Sequence, residues 1–231
     1  MKKKKVWIPL ILGFIFIVGL CVALYQPFKQ HYLIPHHIEH EDHKIMQQSP
    51  QDIHKNKNDS HLNYSYNSQN VQRLGHQGNQ GSIDPRYMNG MIIIPRVHMK
   101  LPILEGISNT NLNYGAGTMK PHQVMGQGNY ALAGHHAYNE SALFTPLIHL
   151  PQKSTVYLTD KNKVYAYQTY QRVVVDKSQG QVINDVKGHR LLTLVTCTDV
   201  EGTKRLVIRG KLKHVYTMKN APQHVVQQIN N

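Results

Sequence analysis

"STVYLTDKNKVYAYQTYQRVVVD" (Ser154–Asp176) decides the fold. Apolar and polar residues alternate along it, and "DKNK" (Asp160–Lys163) interrupts the alternation with a turn signal. Alternation with a period of two places one face of a strand on a core. Two such runs around a polar turn predict a β-hairpin. Similar runs flank it. "GMIIIPRVHMKLPILEG" (Gly90–Gly106) is aliphatic and β-branched, broken by Pro95 and Pro102. "NYALAGHH" (Asn129–His136), "HRLLTLVTC" (His189–Cys197) and "KRLVIRGKLKHVY" (Lys204–Tyr216) add further strands. Only "SALFTPLIHL" (Ser141–Leu150) and "TNLNYGAG" (Thr110–Gly117) suggest short helices. Many short strands in one stretch predict an all-β barrel or sandwich.

Outward from this region the composition changes near Ser82. Residues 26–81 are rich in Gln, Asn, His, Ser and Lys, show no sustained apolar period, and read as a flexible polar linker. Within it, His36, His40 and His43 fall at helical spacing beside Glu39 and Glu41. A metal site needs ligands held in fixed geometry, so the bland reading, a solvated stalk, is preferred. Ahead of the linker, Val6–Tyr25 is twenty residues without a charge. As a helix it spans about 30 Å, the thickness of a bilayer core. Lys2–Lys5 precede it, which orients residues 1–5 to the cytoplasm and the remainder to the outside. A cleaved signal peptide is the competing reading. The run is longer than such a segment's apolar region and leaves through Tyr25, Gln26 and Pro27 without an Ala-x-Ala pattern. The expected organisation is a cytoplasmic tail (1–5), a transmembrane anchor (6–25), a linker (26–81), a catalytic domain (82–218) and a polar tail (219–231).

The net charge is +13. An external location and the lack of a basic stripe with interleaved aromatics argue against nucleic acid as the partner. The membrane and anionic wall polymers remain as partners for that charge. Two cysteines are present, Cys21 in the anchor and Cys197 in the β-rich region, so no intrachain disulfide is expected. A lone external thiol is a candidate nucleophile. It attacks as thiolate and therefore needs a neighbouring base and a donor for the developing oxyanion. Among sixteen histidines, His135 and His136 stand where an apolar strand meets a glycine and a loop. Position alone does not separate them. For the cation, alternation in "TKRLVIRGK" puts Arg205, Val207 and Arg209 on one face and Leu206 and Ile208 on the other. Arg205 lies eight residues past Cys197, across a turn, and can reach the same site from an adjacent strand; the alternative is an exposed edge arginine.

Taken together, "TLVTC" (Thr193–Cys197), "LAGHH" (Leu132–His136) and "KRLVIRG" (Lys204–Gly210) resemble the sortases, cysteine transpeptidases of Gram-positive bacterial surfaces. One N-terminal anchor without a C-terminal span looks like class A, the housekeeping type. The resemblance implies an eight-stranded β-barrel with short helices, preceded by one transmembrane helix. It implies Cys197 as nucleophile, His135 rather than His136 as the catalytic histidine, and Arg205 rather than Arg209 as the arginine. Ala133 and Val195 then line the sorting-signal groove, and Thr196 shapes the oxyanion site. The implied substrate is a Leu-Pro-x-Thr-Gly sorting signal, cut between Thr and Gly and passed to the amine of a peptidoglycan precursor, lipid II. Some class A members bind an activating calcium through carboxylates before the histidine. Here Thr118–Asn129 contains no Asp or Glu, so neither calcium nor another cofactor is expected. Residues 176–189 match the family's substrate-facing loop. The competing functions are a secreted cysteine hydrolase, a pilin-polymerising sortase, and a non-enzymatic, basic wall-binding module.

Overall fold

The computed structural model describes residues 7–28, 45–56, 64–71, 83–137, 139–198 and 202–230. The chain divides into two compact units, Met1–Glu39 and His40–Asn231. The first contains helix α1 (Trp7–Phe28), 22 residues without a charged side chain. Leu10, Phe14, Phe16 and Leu24 on it are all exposed. Taken over the described residues, no helix is long and apolar enough to cross a membrane. The α1 backbone taken whole, at 1.5 Å per residue, is about 33 Å long.

The second unit is built on eight strands: β1 (Met88–Ile94), β2 (Met99–Leu104), β3 (Ala116–Thr118), β4 (Asn129–Ala133), β5 (Thr155–Thr159), β6 (Lys163–Asp176), β7 (Leu191–Cys197) and β8 (Lys204–Thr217). They close into a barrel in the order β1-β2-β3-β4-β7-β8-β6-β5. Closure removes the unpaired strand edges that an open sheet would present. The expected all-β barrel is the one that forms. The Ser154–Asp176 hairpin folds as read, with Thr159 opposite Val164. Its turn is held by Asp160, whose Oδ1 accepts from the Asn162 and Lys163 amides at 3.0 and 2.7 Å.

Two pairings are parallel, β2 with β3 and β4 with β7. Parallel neighbours need a crossover. Between β2 and β3 it contains the short helix α3 (Asn109–Tyr114), capped by Ser108, whose Oγ accepts from the Asn111 amide. β4 and β7 are brought side by side only after the chain has passed through β5 and β6. That pairing creates the site described below. Side chains on β4, β7 and β8 alternate between two apolar clusters. Tyr130, Leu132, Leu192, Leu194, Leu206 and Ile208 belong to the barrel interior. Ala131, Ala133, Val195, Cys197 and Val207 belong to a second cluster on the other face. Both faces are covered, so all seven residues of β7 are buried and its sequence reads as a continuous apolar run.

Two pieces of the stretch read as a linker, 45–56 and 64–71, are docked on the barrel. Helix α2 (Pro50–Asn56) packs against β1 and buries Ile53, while Ile45 is buried just ahead of it. Ser49 and Asp52 form a capping box at its start, with Asp52 N donating to Ser49 Oγ at 3.2 Å. Lys161 Nζ donates to the carbonyls of Met46 and Gln48. Isolated apolar residues this far apart have no period to detect. The tail differs in the same way: helix α4 (Gln223–Asn230) buries Val225 and Ile229, one turn apart, and contacts β1. The histidine-rich stretch 36–43 lies outside the described residues.

Candidate active site

Cys197 is the last residue of β7 and is fully buried. Directly across the antiparallel pair sits Arg205, near the start of β8. A hairpin enforces that pairing: turn geometry fixes register, and register fixes which side chains share a face. The third residue arrives from a distant part of the chain. In the parallel β4–β7 pair, Ala133 aligns with Val195. His135 is two residues past Ala133, as Cys197 is two past Val195. Gly134, between them, donates its amide to the Val195 carbonyl at 3.1 Å. A Cβ on Gly134 would fall 2.4 Å from the Phe144 ring, so only glycine fits where the strand turns into the site. His135 is 3% exposed, and its carbonyl accepts from the Phe144 amide. The structure thus brings Cys197, His135 and Arg205 to one end of the β4–β7–β8 sheet.

The neighbouring groups fix this arrangement. Thr196 Oγ1 donates to the Gly134 carbonyl at 2.8 Å, tying the β7 end to the turn that carries His135. Its hydroxyl proton is therefore directed at that turn. His136 Nδ1 lies 2.9 Å from the Cys197 carbonyl oxygen. A carbonyl only accepts, so Nδ1 carries the proton of that bond. Ala133 and Val195 lie in the same apolar cluster as Cys197. Arg205 is 8% exposed; its Nη1 donates to the Gly202 and Lys204 carbonyls at 2.7 and 3.2 Å. Its Nη2 donates to the Val71 carbonyl at 2.8 Å, and Cys197 Sγ donates to the same oxygen over 3.4 Å. One carbonyl oxygen is therefore held between the thiol and the guanidinium.

The 176–189 loop is ordered around groups that sequence reading did not single out. Asn129 is the centre. It is buried, its Nδ2 donates to the Val182 and Asn184 carbonyls, and its Oδ1 accepts from Thr193 Oγ1 at 2.7 Å. Its amide and Lys120 Nζ both donate to Asp185 Oδ1, at 2.8 and 2.7 Å. The Lys120 bond first, and then the Asn129 amide, hold the Asp185 carboxyl below the usual carboxylate range. Arg209 Nη2 donates to the Val182 carbonyl, which places Arg209 on the loop, whereas Arg205 shares the Val71 carbonyl with the thiol. A polar residue opening an otherwise apolar strand was the available signal for Asn129. Among the described residues no three His, Cys, Asp or Glu side chains group as metal ligands.

The sortase domain family model matches residues 92–213. Sortase A of Streptococcus agalactiae is 37% identical over 230 residues, 97% of this chain and 91% of the relative. Sortase A of Listeria monocytogenes is 34% identical over 86% of this chain and 88% of its own length. The crystal structure of the Listeria monocytogenes enzyme superimposes with a TM-score of 0.58 at 35% identity, covering 62% of this chain and 97% of that one. The barrel, the convergence of Cys, His and Arg on one sheet end, and these matches agree: the chain belongs to the sortase family of cysteine transpeptidases.

Proposed function

We propose that the chain is a membrane-anchored transpeptidase that cuts Leu-Pro-x-Thr-Gly sorting signals between Thr and Gly and joins the Thr carbonyl of the amino-terminal fragment to the amine of lipid II. Cys197 is the nucleophile. As thiolate it attacks the threonine carbonyl carbon, and the C–N bond breaks to leave a thioester. His135 gives a proton to the departing glycine amine, then takes one from the incoming amine. Arg205 donates to the oxygen as negative charge builds on it. The observation that carries this reading is the Val71 carbonyl, held by Cys197 Sγ and Arg205 Nη2 together. A reacting carbonyl meets the same two groups, the sulfur at its carbon and the guanidinium at its oxygen. Ala133 and Val195 supply the apolar wall beside the thiol, and Thr196 acts through Gly134.

The charge-free helix α1 and Lys2–Lys5 ahead of it support a single-pass anchor with the barrel outside the cell. No cofactor takes part in this mechanism. Calcium in particular is not required, because the Lys120 ammonium supplies the positive charge that holds Asp185. The test is incubation of the full chain with a Leu-Pro-x-Thr-Gly peptide and a glycine- or alanine-led amine, read by mass. Ligated product is expected. Release of the Thr-ended acid alone, at the same rate with and without amine, would assign a hydrolase instead.

A further inference from the structure

Parallel strands exchange evenly spaced backbone hydrogen bonds. In the β4–β7 pair one of them runs from the Gly134 amide, just past the end of β4, to the Val195 carbonyl at 3.1 Å. The next carbonyl along that edge of β7 is two residues on, at Cys197. Its regular partner would be the backbone amide of residue 136. By then the chain has turned aside. His136 pairs instead with Leu143 in an isolated antiparallel bridge, and the Phe144 amide donates to the His135 carbonyl beside it. Ala137, on the other side, gives its amide to Thr145 Oγ1 at 2.8 Å. The imidazole takes over the rung that the backbone gives up: His136 Nδ1 lies 2.9 Å from the Cys197 carbonyl oxygen. Cys197 is fully buried, where a carbonyl without a donor is costly.

We infer that His136 is a positioning residue for the nucleophile, closing the last rung of the β4–β7 ladder through its ring and so fixing the backbone that carries the Cys197 thiol. The inference rests on Cys197 being the nucleophile. The bond acts on the thiol in two ways. It keeps the end of β7 from fraying, so the sulfur holds its place opposite Arg205. It also puts an N–H on a carbonyl oxygen of the same residue. That donor offsets the negative end of the carbonyl dipole beside the sulfur, which favours the thiolate. Among the described residues, the other titratable or charged groups facing the thiol are His135, from the same turn, and Arg205, from β8. Lys204 is paired with Asp176, and the 176–189 loop and Val71 meet the Cys197 cluster with apolar side chains.

The experiment uses the full chain in detergent, with His136→Asn and His136→Leu. The asparagine amide nitrogen stands as many bonds from Cα as Nδ1 does, and it can donate. Leucine places a methyl group there and cannot. The first readout is the rate of Cys197 alkylation by iodoacetamide from about pH 5 to about pH 10, since the thiolate is the reacting form. The modified peptide is identified by mass, because Cys21 is a second thiol. His136→Leu is expected to move the midpoint of that profile up by about half a unit to one unit, the scale of one neutral hydrogen bond. It is also expected to lower kcat for the sorting peptide roughly three- to tenfold, with KM within about twofold of wild type. His136→Asn is expected to restore the midpoint and most of kcat. Equal losses in both variants with an unmoved midpoint would make His136 a packing residue and overturn the inference, as would a His136→Leu chain indistinguishable from wild type. A midpoint that leucine shifts and asparagine restores, in a chain that never turns over the sorting peptide, would support the positioning role and count against the transpeptidase reading alone.

Discussion

Arg205 is held by three carbonyls, those of Gly202, Lys204 and Val71. A guanidinium presents its donors in a fixed plane, and an ammonium does not reproduce them. Arg205→Lys is therefore expected to lower kcat/KM by about 10²–10³-fold, the usual loss of one oxyanion donor, with the melting temperature little changed. A variant within twofold of wild type would remove Arg205 from the reaction. The histidine pair divides differently. His135→Ala is expected to lose about 10²–10⁴-fold in kcat as the acid–base group disappears. His136→Ala removes only the bond to the Cys197 carbonyl and should cost less than His135→Ala. The reverse order would exchange their roles. At this scale much was legible: the Cys–Arg pair follows from a short turn and strand alternation. The choice of His135 did not follow from position, because it depends on β4 lying beside β7, a pairing between residues more than sixty apart. The resemblance supplied it.

At the scale of elements, the 176–189 loop is preformed by Asn129, Asp185 and Arg209. Asn129→Ala leaves the Thr193 hydroxyl and two loop carbonyls without their partner. A loss of about 1–3 kcal/mol in unfolding free energy is expected, measured by urea denaturation. The Asp185 contact is tied to pH. Its carboxyl sits below its ordinary range, so the stabilisation is present above the unfolded-state value and fades as pH falls through the folded-state value. Hydrogen exchange in 176–189 is expected to quicken as pH drops below the normal carboxylate range, after correction for intrinsic exchange. In Asp185→Asn that quickening should vanish. Lys120 also bears on the metal question. A chelator should leave activity unchanged, and a several-fold drop restored by calcium would contradict this. Seven of the eight strands were readable because each carries period-two or continuous apolar character; β3, three small residues long, was instead read into the end of a short helix. The docked stretches 45–56 and 64–71 were not, because Ile45, Ile53 and Val71 are single anchors in polar surroundings, and one anchor has no period.

For the whole molecule, barrel closure was only half legible. Alternation names strands, but it does not name their neighbours, and barrel and sandwich share the same pattern. The order β4-β7-β8-β6 follows from long-range pairing, which the structure displays; the resemblance implied the eight-stranded barrel and not its strand order. The proposed anchor is tested on the intact chain: it should remain in the membrane pellet after alkaline carbonate extraction, and release would contradict a spanning helix. The central claim is that Cys197 forms an acyl-enzyme on this scaffold. Its most direct measurement is the intact mass of the chain mixed with a Leu-Pro-x-Thr-Gly peptide in the absence of an amine. A transient adduct of the Thr-ended fragment is expected, located on Cys197, discharged when a glycine- or alanine-led amine is added, and absent in Cys197→Ala. Ligated product from Cys197→Ala, or an adduct on any other residue, would contradict it.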